Sequence, residues 1–162
     1  MLGARQVGKT SVLKKFGEEG FEYCAYFSLD EEEGVCDIFR KTKNPLQIIE
    51  QLSYLTPEPI LPQKTLLILD EIQDCPEAIS AMKYFCEKTP EYVVACAGSL
   101  LGLAFGHQGF SFPVGKVDHI NMYPVTFSEF LEQRDERLYQ YYMSIDSLEP
   151  LPDVFFDRLS QA

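Results

Sequence analysis

The sequence predicts an α/β fold built on a parallel sheet. Three observations carry that prediction. Apolar runs of strand length alternate with segments of helical periodicity along the chain. Residues Gly3-Ala4-Arg5-Gln6-Val7-Gly8-Lys9-Thr10 match the phosphate-binding pattern G-x-x-x-x-G-K-[ST]. The aliphatic run Leu66-Leu67-Ile68-Leu69 ends in Asp70-Glu71, as a buried strand does when it delivers carboxylates to the edge of a sheet.

A phosphate-binding loop is the turn between a buried strand and a helix. Here Met1 and Leu2 precede it, so the entering strand is expected to be largely missing. The helix after the loop begins near Lys9. Val12, Leu13 and Phe16 share one apolar face at helical spacing, and Gly17 and Gly20 suit its end. Tyr23 through Leu29 reads as a strand, and Asp30-Glu31-Glu32-Glu33 as a solvated loop after it. Pro45 through Leu52 reads as a helix with proline in its first turn. Pro57, Pro59 and Pro62 interrupt the chain before the acidic-ended strand at 66–71. Pro76 through Lys88 reads as a helix with Ile79, Met82, Phe85 and Cys86 on its core face. Tyr92 through Ala97 and Val117 through Met122 read as strands, with His119 in the second structural or exposed. Phe127 through Tyr142 reads as an aromatic-rich helix, followed by a turn at Pro150 and Pro152.

The spacing of these residues suits a nucleotide. Gly3 and Gly8 let the backbone curl so that successive N–H groups point inward, and the following helix aims its positive end at the same place. Lys9 reaches toward the β- and γ-phosphates in this pattern, and the Thr10 hydroxyl toward Mg²⁺. Two carboxylates at the end of a buried strand are costly unless a cation meets them. Mg²⁺ would serve, with Asp70 as its ligand or its water-mediated partner and Glu71 as the base that polarises water. Ser99, at the end of the neighbouring strand, has two open roles. It could contact the γ-phosphate or water, or cap a helix over Leu100–Phe105.

These residues together resemble a family of prokaryotic P-loop ATPases in the AAA superfamily. The resemblance rests on the octapeptide at 3–10, Leu69-Asp70-Glu71-Ile72-Gln73, Ala97-Gly98-Ser99, and the stretch from Gly115-Lys116-Val117 through Tyr123-Pro124-Val125-Thr126-Phe127-Ser128-Glu129-Phe130-Leu131. It implies a three-layer sandwich with sheet order 5-1-4-3-2, an ATPase core over 1–131, and a helical extension over 132–162 that starts a C-terminal domain. It implies ATP and Mg²⁺ as ligands, bound by Gly3, Ala4, Arg5, Gln6, Val7, Gly8, Lys9, Thr10 and Ser11. Thr10 and Asp70 would then meet the metal, and Lys9, Glu71 and Ser99 would act in hydrolysis. The partner would be an unidentified protein or the C-terminal domain itself. An arginine finger has only charge-based candidates in Arg40, Arg134, Arg137 and Arg158.

Composition narrows the function classes. The 162 residues suffice for one domain with a sizeable core. Net charge is −11, which weighs against direct nucleic-acid binding, because phosphate contacts need basic patches. The five cysteines are widely spaced with no C-x-x-C pair, as expected of reduced thiols in a cytoplasmic protein rather than a zinc site. No apolar run suits a membrane span. Two readings from different classes follow: an ATPase domain, or a truncated, catalytically silent P-loop domain serving as an interaction module. A P-loop kinase is the weaker third, since the Asp70-Glu71 pair suits water activation and no acceptor site is legible.

Overall fold

The computed structural model describes residues 1–99, 115–145 and 152–161. They fall into two compact units, Met1–Tyr123 and Pro124–Ala162.

The first unit is an α/β layer structure. Strand β1 (Leu2–Gly3) leads through the glycine-rich loop into α1 (Lys9–Gly20), then β2 (Tyr23–Ser28), α2 (Glu33–Lys41) and α3 (Pro45–Ser53). Strand β3 (Thr65–Asp70) passes through a short 3₁₀ turn (Ile72–Asp74) into α4 (Pro76–Lys88), followed by β4 (Val93–Cys96) and β5 (Asn121–Met122). All strand pairs are parallel. β3 runs between β2 and β4, with Leu67 opposite Ala25 on one side and Val94 on the other. β1 pairs with β5 through Leu2–Asn121 and Gly3–Met122. A single bridge from Leu2 to Gly98 joins β1 to the chain leaving β4. The strand order is therefore 5-1-4-3-2, as expected, with the first strand reduced to two residues.

β3 is the centre because every one of its residues is buried. A strand covered on both faces must be aliphatic throughout rather than alternating. Leu67 and Leu69 pack with Phe27, Phe39, Ile48, Leu52 and Phe85 in the main core. Leu66 and Ile68 face Leu13 and Ala97 in a smaller second core. Cys36 and Cys75 are buried thiols within the main core. Burial, reinforced by the neighbouring Cys36, pushes the Cys75 thiol up to about 12 and keeps it protonated.

Several expectations are corrected. Gly17 lies inside α1 rather than at its end, and it is buried against β2. A Cβ there would lie 2.6 Å from Cys24 Sγ, so the helix approaches the sheet only because that side chain is absent. Val12 and Phe16 stay largely exposed, and Leu13 is the member of the anticipated apolar face that is buried. Cys86 is exposed on α4, whereas Ile79, Met82 and Phe85 are buried. The strand anticipated at 117–122 contracts to Asn121–Met122. The acidic run does not end as a loop, because α2 starts at Glu33 and buries Val35, Cys36, Ile38 and Phe39.

In the second unit, the helix anticipated over 127–142 is two helices, α5 (Phe127–Arg134) and α6 (Glu136–Met143), followed by α7 (Asp153–Gln161). Asp135 sits between them with extended backbone, and its side chain accepts the Leu138 N–H. A residue that caps the next helix cannot continue the previous one. Thr126 and Glu129 form a reciprocal capping box at the start of α5. The helix anticipated over Leu100–Phe105 and the turn residue Pro150 lie outside the described residues.

The packing at Gly17 yields a prediction. Gly17→Val should destabilise the fold by about 1–3 kcal/mol through overpacking against Cys24. Chemical unfolding of the variant and of the double variant with Cys24→Ala checks it: the second substitution should recover part of the loss.

Candidate functional site

The site forms where β1, β3 and β4 end side by side. The loop at residues 4–8 is held by two left-handed positions, Gln6 at φ 63° and Gly8 at φ 93°. A left-handed conformation costs glycine nothing, which accounts for Gly8. Gln6 takes it as a strained non-glycine residue. Gly8 is the N-cap of α1 and offers no side-chain acceptor, so no side chain caps the first turn. That leaves first-turn N–H donors at the positive end of the helix dipole for an anionic group.

Lys9 is buried, at 5 % exposure. Its ammonium donates to the carbonyl of Ala4 at 2.7 Å and of Gly3 at 3.1 Å, closing the loop over its own base. Thr10 Oγ1 donates to Asp70 Oδ2 at 2.5 Å. This bond joins two segments sixty residues apart in sequence and brings the loop to the acidic end of β3. Asp70 also accepts from Tyr26 OH at 3.1 Å and, through Oδ1, from the Glu71 N–H at 2.9 Å. The carboxylate is only 3 % exposed, and among the described residues no ion pair compensates its charge. Burying an ion with hydrogen bonds but no countercharge is costly, and a bound cation is the usual remedy.

Glu71 follows in a left-handed conformation, φ 48° and ψ 45°, between β3 and the 3₁₀ turn. The next residue ties this corner down, since the Ile72 N–H donates to Ala97 O at 3.0 Å. The Glu71 carboxylate accepts from Gln73 Nε2 at 2.5 Å, and the same nitrogen reaches Asp74 at 3.1 Å. Gln73 therefore fixes the direction of the Glu71 side chain, a contact that sequence reasoning missed although Gln73 stands two residues away. Ser99 lies just beyond the Leu2–Gly98 bridge, and its Oγ is buried without a hydrogen-bond partner. An orphaned hydroxyl at the end of a parallel strand is available to a ligand.

The remaining sequence-derived residues sit at the rim. Ala4, Arg5, Gln6 and Ser11 are exposed, and Val7 is half-buried. Arg5 lines a polar cavity of about 560 Å³ together with Asp30, Asp37, Arg40 and Asp74. Arg40 is bound to Asp37 at 2.9 Å. Arg158 pairs with Asp135 inside the second unit, and Arg134 lies over the Phe130 ring. No group of His, Cys, Asp and Glu side chains among the described residues forms a metal cage. No helix among them is long and apolar enough to cross a membrane.

The Tyr26 phenol is pushed up, chiefly by burial; the Ser28 hydrogen bond opposes this and the Asp70 charge adds to it. A raised phenol favours the protonated, folded form. Its contribution is complete below the usual tyrosine value near ~10 and is lost as pH rises through the higher folded value. Titration of phenolate absorbance should show one late-ionising tyrosine that disappears in Tyr26→Phe.

A family model described as "AAA domain" matches residues 1–131. No curated protein matches the chain. A solved structure titled "Structure of C. elegans PCH-2" is similar at 13 % sequence identity and TM-score 0.47. The match covers 99 % of this chain and 49 % of that one, so the chain spans about half the length of that neighbour.

Proposed function

We propose that this chain, which belongs to the AAA domain family, binds ATP with Mg²⁺ at the loop 3–11 and hydrolyses it with Glu71 as the base. The observation that carries the reading is the Thr10–Asp70 hydrogen bond, which sets a phosphate-binding loop against a buried carboxylate that lacks a countercharge.

The residues fit the ligands. Gly3 through Ser11 would surround the phosphates with backbone N–H donors, and Lys9 would exchange the Gly3 and Ala4 carbonyls for phosphate oxygens. Thr10 and Asp70 would hold Mg²⁺, which when bound neutralises charge on the phosphate oxygens. Glu71 would orient a water and accept its proton, its carboxylate already aimed by Gln73. The Ser99 hydroxyl would donate to the γ-phosphate or to that water. The helical region after residue 131 would transmit the change to a C-terminal domain or a partner protein.

A fluorescent ATP analogue tests binding. Lys9→Ala should weaken it at least about tenfold, because a charge-assisted hydrogen bond is worth ~1.5–3 kcal/mol. Equal affinity in the two proteins would overturn the nucleotide reading and leave the catalytically silent interaction module in its place.

Turnover tests the base separately. Glu71→Gln should retain nucleotide and lose about 10²–10⁴-fold in phosphate release. Gln73→Ala should lower the maximal rate with little effect on nucleotide affinity. Unchanged turnover in Glu71→Gln would remove Glu71 from the mechanism.

A further inference from the structure

Tyr26 belongs to neither sequence motif, yet it touches the site. It stands on β2 opposite Ile68, two residues before Ser28, the residue paired with Asp70. Two residues span about 6.6 Å at strand pitch, so a long side chain is needed to reach from there to the acidic end of β3. The Tyr26 phenol makes that reach and donates to Asp70 Oδ2 at 3.1 Å.

Helix α1 holds the ring in place. Thr10 and Lys14 stand one turn apart on one face of α1. The Lys14 ammonium lies over the face of the Tyr26 ring, 3.6 Å from its centroid. Thr10 Oγ1 donates to Asp70 Oδ2, the same oxygen that the phenol meets. One helix face, one tyrosine and one carboxylate oxygen thus close a circuit of contacts among α1, β2 and β3.

The acceptor sites of Asp70 give this circuit a chemical meaning. A carboxylate offers about two lone-pair sites on each oxygen. Both sites on Oδ2 are taken, one by Thr10 and one by Tyr26. On Oδ1 the Glu71 N–H takes one, at 2.9 Å. The carboxylate therefore has charge to offer a cation but little open oxygen to touch it with. That combination suits a small cation that dehydrates reluctantly and keeps several waters, as Mg²⁺ does. It suits Ca²⁺ poorly, because Ca²⁺ takes carboxylates directly and often through both oxygens.

We propose that Tyr26 sets the metal specificity of the site: its phenol occupies Asp70 Oδ2, closes that oxygen to direct coordination, and so favours Mg²⁺ over Ca²⁺. Lys14 is the positioning residue that holds the ring for this bond. The proposal rests on the Mg²⁺-nucleotide reading given above and adds to it two residues outside both motifs.

A fluorescent ATP analogue tests it by binding alone, measured with Mg²⁺, with Ca²⁺, and with a chelator in place of either. Tyr26→Phe keeps the ring beneath Lys14 and removes only the hydroxyl. It should reduce the preference for Mg²⁺ over Ca²⁺ at least about tenfold, the scale of one hydrogen bond to a charged group, mainly by tightening binding with Ca²⁺. Affinity in the chelator should stay the same. Lys14→Met should shift the preference the same way by less, and no shift there would strike Lys14 from the arrangement. An unchanged preference in Tyr26→Phe would overturn the proposal. So would an equal loss of affinity under all three conditions, which would make Tyr26 a structural support alone. Wild-type affinity that ignores both metals would instead remove Mg²⁺ from the site, and this proposal with it.

Discussion

The Thr10 hydroxyl donating to Asp70 is the contact on which the site depends. Each partner is positioned by a different physical cause. Thr10 is placed by the first turn of α1, whose direction follows from the left-handed Gly8. Asp70 is placed by β3, whose register is set by parallel pairing with β2 on one side and β4 on the other, Asp70 lying opposite Ser28. A one-residue shift of β3 would carry Asp70 away from Thr10 and Tyr26 together. The core therefore does more than stabilise the fold; it sets the position of a carboxylate to within hydrogen-bond tolerance.

What was legible in the sequence follows the same division. β3 and α4 could be read almost to the residue because composition and periodicity agree there, with aliphatic continuity in one and Ile79, Met82 and Phe85 at helical spacing in the other. The glycine-rich loop and Asp70-Glu71 could be read because their residue types serve few other purposes at that spacing. α2 could not, because its acidic start hides an apolar face that appears only from Val35 onward. The break at Asp135 was hidden in a run of good helix formers. It emerges from one capping hydrogen bond, which outweighs propensity at a single position.

The corner at Glu71 shows why a site is harder to read than a strand. Its left-handed backbone is not encoded by glycine or asparagine, the residues that usually announce it. Three bonds impose it instead: the Glu71 N–H to Asp70, the Ile72 N–H to Ala97 and the Asp74 N–H to Glu71 O. Two of these close local turns and one crosses to the chain leaving β4. Strain of this kind persists when the surroundings over-determine it, and here it turns the Glu71 carboxylate toward Gln73.

The same logic separates the two edges of the sheet centre. Beside β2, β3 has a full partner over six residues, and both faces are covered by helices. On the other side of β4, pairing is limited to the two residues of β1 and one bridge, yet the flanking α1 and α4 still present Val12, Phe16 and Phe85 toward the space between. Apolar side chains on two helix faces and residues of two strand edges all converge on one slot. The loop that would hold phosphate leaves from the mouth of that slot.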